Sequence, residues 1–231
     1  TLSHDLKHPL IGMGRVLEFL SENRFGPITD QQREIFYQLY SSNAGLLAII
    51  QNLLDIYRYE RDSELLRFDE IRLDELVVDC IAEIKVIADE KEIEIAVKNT
   101  DELPSVRIDR HAVRRVIQNL LGNAVKFTPT AGVITMNLSY DNTGITLDVH
   151  NTGTVITQDD QQLLFRRFWQ GGPGRSYVAG TGLGLYLCRQ IVEAHEGKIW
   201  CLSDFEIGTT FSFTIPFAPA RTESSQEIYD V

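Results

Sequence analysis

From Leu2 to Tyr57 apolar side chains recur at heptad spacing, and nothing else in the chain constrains its fold as strongly. Leu2, Leu6, Leu10, Met13, Leu17 and Leu20 form one seam, and Phe36, Leu39, Leu46, Ile50, Leu53 and Tyr57 form another. A stripe of that period is an amphipathic helix that must bury one face against a neighbour. Gly26-Pro27 breaks the chain between the stripes, since proline cannot continue a helix. Thr29 followed by Gln32 is a capping box that starts the second helix. Two helices enclose no core by themselves, so the hairpin is expected to complete a four-helix bundle with a second copy, as a homodimer.

After a polar join near Asp62 to Asp69 the period changes, and helices alternate with strands. The expected domains are therefore a helical hairpin over 1–66 and an α/β two-layer sandwich over 67–217. The polar, aperiodic residues 218–231 are expected to be a disordered tail. Ile134, Met136, Leu138 and Tyr140 alternate with polar residues, as do Ile145, Leu147 and Val149 beyond a turn at Asp141 to Gly144, which predicts an antiparallel hairpin. Phe211, Phe213 and Ile215 predict a closing strand. Leu73 to Asp89, Arg110 to Lys126 and Leu183 to His195 predict helices. The fold class is α+β.

A net charge of −11 argues against nucleic acid or an anionic membrane as partner, because both are bound largely through cationic side chains. Cys80, Cys188 and Cys201 have neither pairing nor CxxC spacing and read as reduced core thiols. No apolar run approaches the length of a membrane span, so these residues are expected to be cytoplasmic.

Four stretches carry chemistry. In Ser3-His4-Asp5-Leu6-Lys7-His8-Pro9-Leu10, His4 lies about 200° around the helix from both Leu2 and Leu6 and so faces solvent. An exposed imidazole beside Asp5 is a usable nucleophile, and Pro9 bends the helix just beyond it; a plain surface histidine, or half a metal site with His8, fits the same spacing. On the helix opened by Asp109, Asn119, Asn123 and Lys126 share one stripe beside the seam Val113, Val116, Ile117, Leu120, Leu121 and Ala124. Amide oxygens suit a hard cation and an ammonium suits phosphate, although a solvated flank has the same pattern. Asn151 shares the inward parity of Val149, where an adenine amino group or a strand-end turn would satisfy its amide. Finally, Phe165 and Phe168 precede Gly171-Gly172-Pro173-Gly174, with Arg175 following and Gly180-Thr181-Gly182-Leu183-Gly184-Leu185 leading into a helix. Such a segment admits close backbone approach to phosphate; core packing explains the phenylalanines equally well.

In this order the four stretches resemble the HisKA-type histidine kinases of two-component systems, which carry a Bergerat-fold ATP domain. The words Asn119-Leu120-Leu121-Gly122-Asn123-Ala124-Val125-Lys126-Phe127-Thr128 and Gly180-Thr181-Gly182-Leu183-Gly184-Leu185 carry the likeness together with the His4 stretch. The resemblance implies autophosphorylation of His4 from ATP and Mg²⁺, then transfer to the aspartate of a response-regulator receiver domain. It makes Asp5 the acid-base partner of His4, Asn123 a Mg²⁺ ligand, Asn119 and Lys126 phosphate-side contacts, and Asn151 with Gly153 part of the adenine pocket. It also makes Phe165, Phe168, Arg175, Gly180, Thr181, Gly182, Leu183 and Gly184 the nucleotide lid. Three residues depart from the pattern: Asn151 replaces an aspartate, Val155 a glycine, and His8 the threonine or asparagine associated with dephosphorylating the regulator. The rival expectation is a non-catalytic dimeric adaptor with a degenerate ATP site.

Overall fold

The capping box forms as its spacing predicts. Thr29 N–H donates to Gln32 Oε1 at 2.9 Å and Gln32 N–H to Thr29 Oγ1 at 3.2 Å. Two backbone donors at the start of the second helix are thereby satisfied. The computed structural model describes residues 2–61, 66–99, 103–170, 181–205 and 207–217. The expected tail, 218–231, and residues 62–65 of the polar join lie outside them.

Helices α1 (Leu2–Ser21) and α2 (Asp30–Arg61) form the predicted hairpin, and Gly26 at the break has φ +117°. Proline stands inside α1 at Pro9, which removes one backbone hydrogen bond from the turn that follows His4. Across the hairpin the Asn43 amide donates to Leu10 O at 2.9 Å.

The second unit contains β1 (Asp69–Ile71), α3 (Leu73–Glu90), β2 (Glu94–Asn99), β3 (Val106–Ile108), α4 (Arg110–Phe127), β4 (Val133–Tyr140) and β5 (Gly144–Asn151). After these come α5 (Gln158–Gln161), α6 (Gly184–Ala194), β6 (Lys198–Asp204) and β7 (Gly208–Pro216). β1 pairs with β3, and the main sheet has the order β2-β4-β5-β7-β6. The predicted β4–β5 hairpin is present, with Leu138 opposite Leu147, and β7 pairs antiparallel with β5, with Phe213 opposite Leu147. β2 and β4 run parallel, and a parallel pair requires a crossover, here through β3 and α4. That connection lays α4 over the sheet. Its inward residues Val113, Val116, Ile117, Leu120 and Leu121 meet Ile134, Met136, Leu147 and Val149, all wholly buried in one core.

The two units touch. Ile56, near the end of α2, is 4% exposed and joins the α/β core, as does Leu66. All three cysteines are buried and free; burial pushes the Cys80 thiol up to about 11 and those of Cys188 and Cys201 up to about 12. Among the described residues no helix is long and apolar enough to cross a membrane.

A candidate nucleotide site along the asparagine helix

Both ends of α4 are held, the first by its own cap residue and the second from elsewhere in the chain. Asp109 accepts from the backbone N–H groups of His111, Ala112 and Arg67, each at 3.0 Å. Burial opposes ionisation of that carboxyl, but the three donors and nearby His195 outweigh it and hold Asp109 below the ordinary carboxylate value. At the other end the Lys91 ammonium donates to Val125 O at 2.9 Å and Lys126 O at 3.2 Å, placing a cation at the negative end of the helix dipole. A helix held so firmly presents its flank at a fixed height above the sheet.

On that flank stand Asn119, Asn123 and Lys126, all half-buried. Burial lowers the Lys126 ammonium from its ordinary value, and its Nζ lies 5.1 Å from the centre of the Phe127 ring. The described end of the glycine segment, from Thr181, arrives at the Asn119 end of this stripe. A Cβ on Gly184, the first residue of α6, would stand 3.1 Å from Asn119 Oδ1. Gly182, with φ +67°, leaves room for the Phe168 backbone, 2.6 Å from where its Cβ would be. Thr181 Oγ1 accepts from Leu183 N–H at 3.2 Å, which tightens the entry into α6. At the far end of α4, Gly153 approaches so closely that a Cβ there would lie 2.2 Å from Phe127 O.

Asn119, Thr181, Gly182, Gly184 and Phe168 are therefore neighbours, while Asn151 and Gly153 meet the end of α4 that carries Lys126. Phe168 is 62% exposed with φ +59°. Phe165 instead packs on the core, edge-on to Phe211 at 6.4 Å between ring centres. Leu183 is wholly buried and serves packing. Asn151 is buried at the sheet end; with its amide oriented to satisfy both atoms, the oxygen accepts from Gly153 N–H at 3.1 Å and the nitrogen donates to Thr209 O at 3.3 Å. Arg175 and Gly180 lie outside the described residues. His4 and Asp5 fall in the first turns of α1, and their side chains are likewise outside the description.

Residues 108–219 match the family model of the histidine kinase-, DNA gyrase B-, and HSP90-like ATPases. The catalytic domain of the histidine kinase ThkA superposes with a TM-score of 0.59 at 30% identity, over 65% of this chain and 96% of that one. The chain belongs to the histidine kinases. Its α/β unit has the Bergerat fold of that family, preceded by a helical hairpin. Full-length ShkA, solved in complex with AMPPNP, aligns over 95% of this chain and 45% of that one, with a TM-score of 0.77 and 29% identity. The circadian input-output histidine kinase CikA of Synechococcus elongatus is 32% identical over 94% of this chain and 29% of its own length. The Caulobacter vibrioides non-motile and phage-resistance protein is 33% identical over 93% of this chain and 26% of its own. The chain thus spans under a third of these two curated relatives.

Sequence reading missed two long-range contacts, one between the units and one within the α/β unit. Arg115 of α4 pairs with Asp55 of α2 and donates to Asn52 Oδ1 at 2.7 Å. Buried His195 accepts the Asp109 N–H at Nε2, 3.0 Å away, and its Nδ1 lies 2.7 Å from Ile191 O. These contacts link residues 60 and 86 positions apart, and no local periodicity encodes such pairs.

Proposed function

We propose that this chain binds ATP along α4, phosphorylates His4, and passes the phosphoryl group to the aspartate of a response-regulator receiver domain. One observation carries the nucleotide part. The N-terminus of α6, built from glycine, abuts Asn119 on the stripe that continues to Asn123 and Lys126. Free N–H groups at a helix start, amide oxygens and an ammonium together make a site for a metal-bound polyphosphate. Among the described residues no group of three or more His, Cys, Asp or Glu side chains converges. Mg²⁺ would accordingly be held by the Asn123 amide oxygen, with Asn119 nearby, and by phosphate oxygens. It supplies charge neutralisation and orientation of the phosphates when bound.

The chain's own residues do the rest. Lys126, whose ammonium is partly desolvated, neutralises charge on the phosphates. A ring nitrogen of His4 attacks the γ-phosphorus in line; the N–P bond forms as the bond to the ADP oxygen breaks, and Asp5 takes the ring proton. Transfer to a receiver aspartate reverses the sense, with carboxylate oxygen attacking and imidazole leaving. A homodimer through the hairpin is the arrangement we assign, supported by the exposed apolar seam of α1 and α2.

Asn123→Ala tests the nucleotide site. Titration calorimetry should show Mg·ATP affinity falling at least about tenfold, with the unfolding midpoint in urea unchanged. Unaltered affinity removes Asn123 from the metal site. A second reading, a non-catalytic adaptor, draws on the Asn151 amide being already engaged by Gly153 and Thr209. It requires that the unmutated chain bind no ATP at all.

A further inference from the structure

Arg115 stands one helical turn before Asn119 and two before Asn123, at the head of the stripe assigned to the nucleotide. Its guanidinium nevertheless engages α2, through Asp55 and Asn52. Between the two helices lies an open polar cleft of about 450 Å³, lined by Gln51 and Asn52 on one side and by His111, Arg114, Arg115, Gln118 and Asn119 on the other. Arg115 and Asn119 thus share one cavity, and a polyphosphate lying along Asn119 comes within reach of the arginine.

The bond from Arg115 to α2 is poised to be exchanged. Asp55 precedes the buried Ile56, and its own side chain is about a quarter exposed. Burial raises the Asp55 carboxyl above its ordinary value even though Arg115, Lys7 and Arg58 act to lower it. Desolvation therefore cancels much of the attraction between the two charges. A polyphosphate offers several charges and the bidentate geometry that a guanidinium prefers. Arg114, the neighbour, has no such choice, because Asp79 and Glu83 of α3, within the same unit, hold it from both sides.

We propose that Arg115 is shared between two ligands: with the nucleotide site empty it ties α4 to α2 through Asp55 and Asn52, and with a nucleoside triphosphate seated on Asn119 and Asn123 it turns to the phosphates and frees α2. The phosphate tail itself then releases the hairpin from the domain that must reach His4. Arg115 is a nucleotide-binding residue in this scheme, one that competes with its contact to α2, and the proposal rests on the nucleotide site assigned above. Competition for one side chain is reciprocal, so whatever the latch contributes to holding α2 is subtracted from triphosphate affinity.

The test uses the whole chain, with calorimetry of a non-hydrolysable ATP analogue and of adenosine, and amide hydrogen exchange of residues 49–57. In Asp55→Asn the analogue should bind at least about fivefold tighter and adenosine equally well. In Arg115→Gln the analogue should bind more weakly, again with adenosine unchanged. Exchange of residues 49–57 should rise when the unmutated chain is saturated with analogue, and should already be raised in Asp55→Asn without it. The paired exchange Asp55→Arg with Arg115→Asp should restore slow exchange that the analogue no longer accelerates, a result that a purely structural ion pair does not produce. Tight analogue binding with unchanged exchange in the unmutated chain, or equal analogue affinity in Asp55→Asn, overturns the latch alone. If neither the unmutated chain nor Asp55→Asn binds analogue or adenosine, the nucleotide site falls and the latch with it.

Discussion

In the α/β unit Leu120, Met136, Leu147 and Phe213 are wholly buried, whereas in the hairpin Met13, Leu39, Leu46 and Leu53, at equally regular spacing, are 43% to 53% exposed. The same patterning signal has two different outcomes. In the sandwich a helix stripe and a strand face from one chain close on each other, so the pattern is satisfied internally. In the hairpin α1 and α2 pack on each other, and only the last turns of α2 meet the α/β unit, so Met13 on α1 and Leu39, Leu46 and Leu53 on α2 stay open. Periodicity states that a face must be covered and leaves unsaid by what.

The comparison breaks most sharply on single truncations. Leu120→Ala should cost about 2–5 kcal/mol in urea unfolding of the α/β unit, because the sheet beneath cannot collapse into the cavity. Leu46→Ala at low protein concentration should cost under about 0.5 kcal/mol, as an exposed site does, and should lower the chain's tendency to self-associate. Equal losses at the two positions would mean that the hairpin carries a closed core of its own.

A smaller effect tests the hinge between the regions. Asp109 caps α4 and also accepts from Arg67 N–H in the join, so Asp109→Ala should cost about 1–2 kcal/mol. It should also speed amide exchange at Arg67. Loss of stability with Arg67 unaffected would confine Asp109 to helix capping.

The smallest effect is a pH slope confined to the α/β unit. Burial lowers His195 from its ordinary value of 6.5, and its Nε2 must stay unprotonated to accept the Asp109 N–H. Below about pH 6.5 the unfolded chain takes up a proton that the folded chain refuses, so stability is full above that pH and falls as the pH drops toward the folded value. His195→Gln keeps an acceptor without the titration and should flatten the decline between pH 6.5 and the folded value. An unchanged slope in His195→Gln would assign the acid sensitivity to other groups.

Much of the architecture was legible because local signals agreed. Thr29 and Gln32, Gly26-Pro27, the α4 seam and the β4–β5 alternation each form as read. The sequence leaves β2 and β6 unmarked. In β2 the glutamates of Glu92-Ile93-Glu94-Ile95 mask a strand that gains its identity from parallel pairing with β4, and β6 mixes buried Cys201 with 64% exposed Leu202. Of the site, residue types on one helix face were visible, but the approach of Gly184 to Asn119 and the Arg115–Asp55 pair were not. Both join segments that only the tertiary fold brings together. Asn151 illustrates the limit from the other side: its inward parity was correct, yet parity does not reveal that Gly153 and Thr209 already engage the amide.

The most direct test of the account is to incubate the chain with Mg²⁺ and ATP labelled on the γ-phosphate and to map the label. The account predicts a label on the protein that is labile in acid and stable in base, absent in His4→Gln and largely retained in His8→Gln. Both variants should unfold at the same urea concentration as the unmutated chain. Label that survives in His4→Gln, or ATP hydrolysis to free phosphate with no protein-bound label at any time, would contradict it.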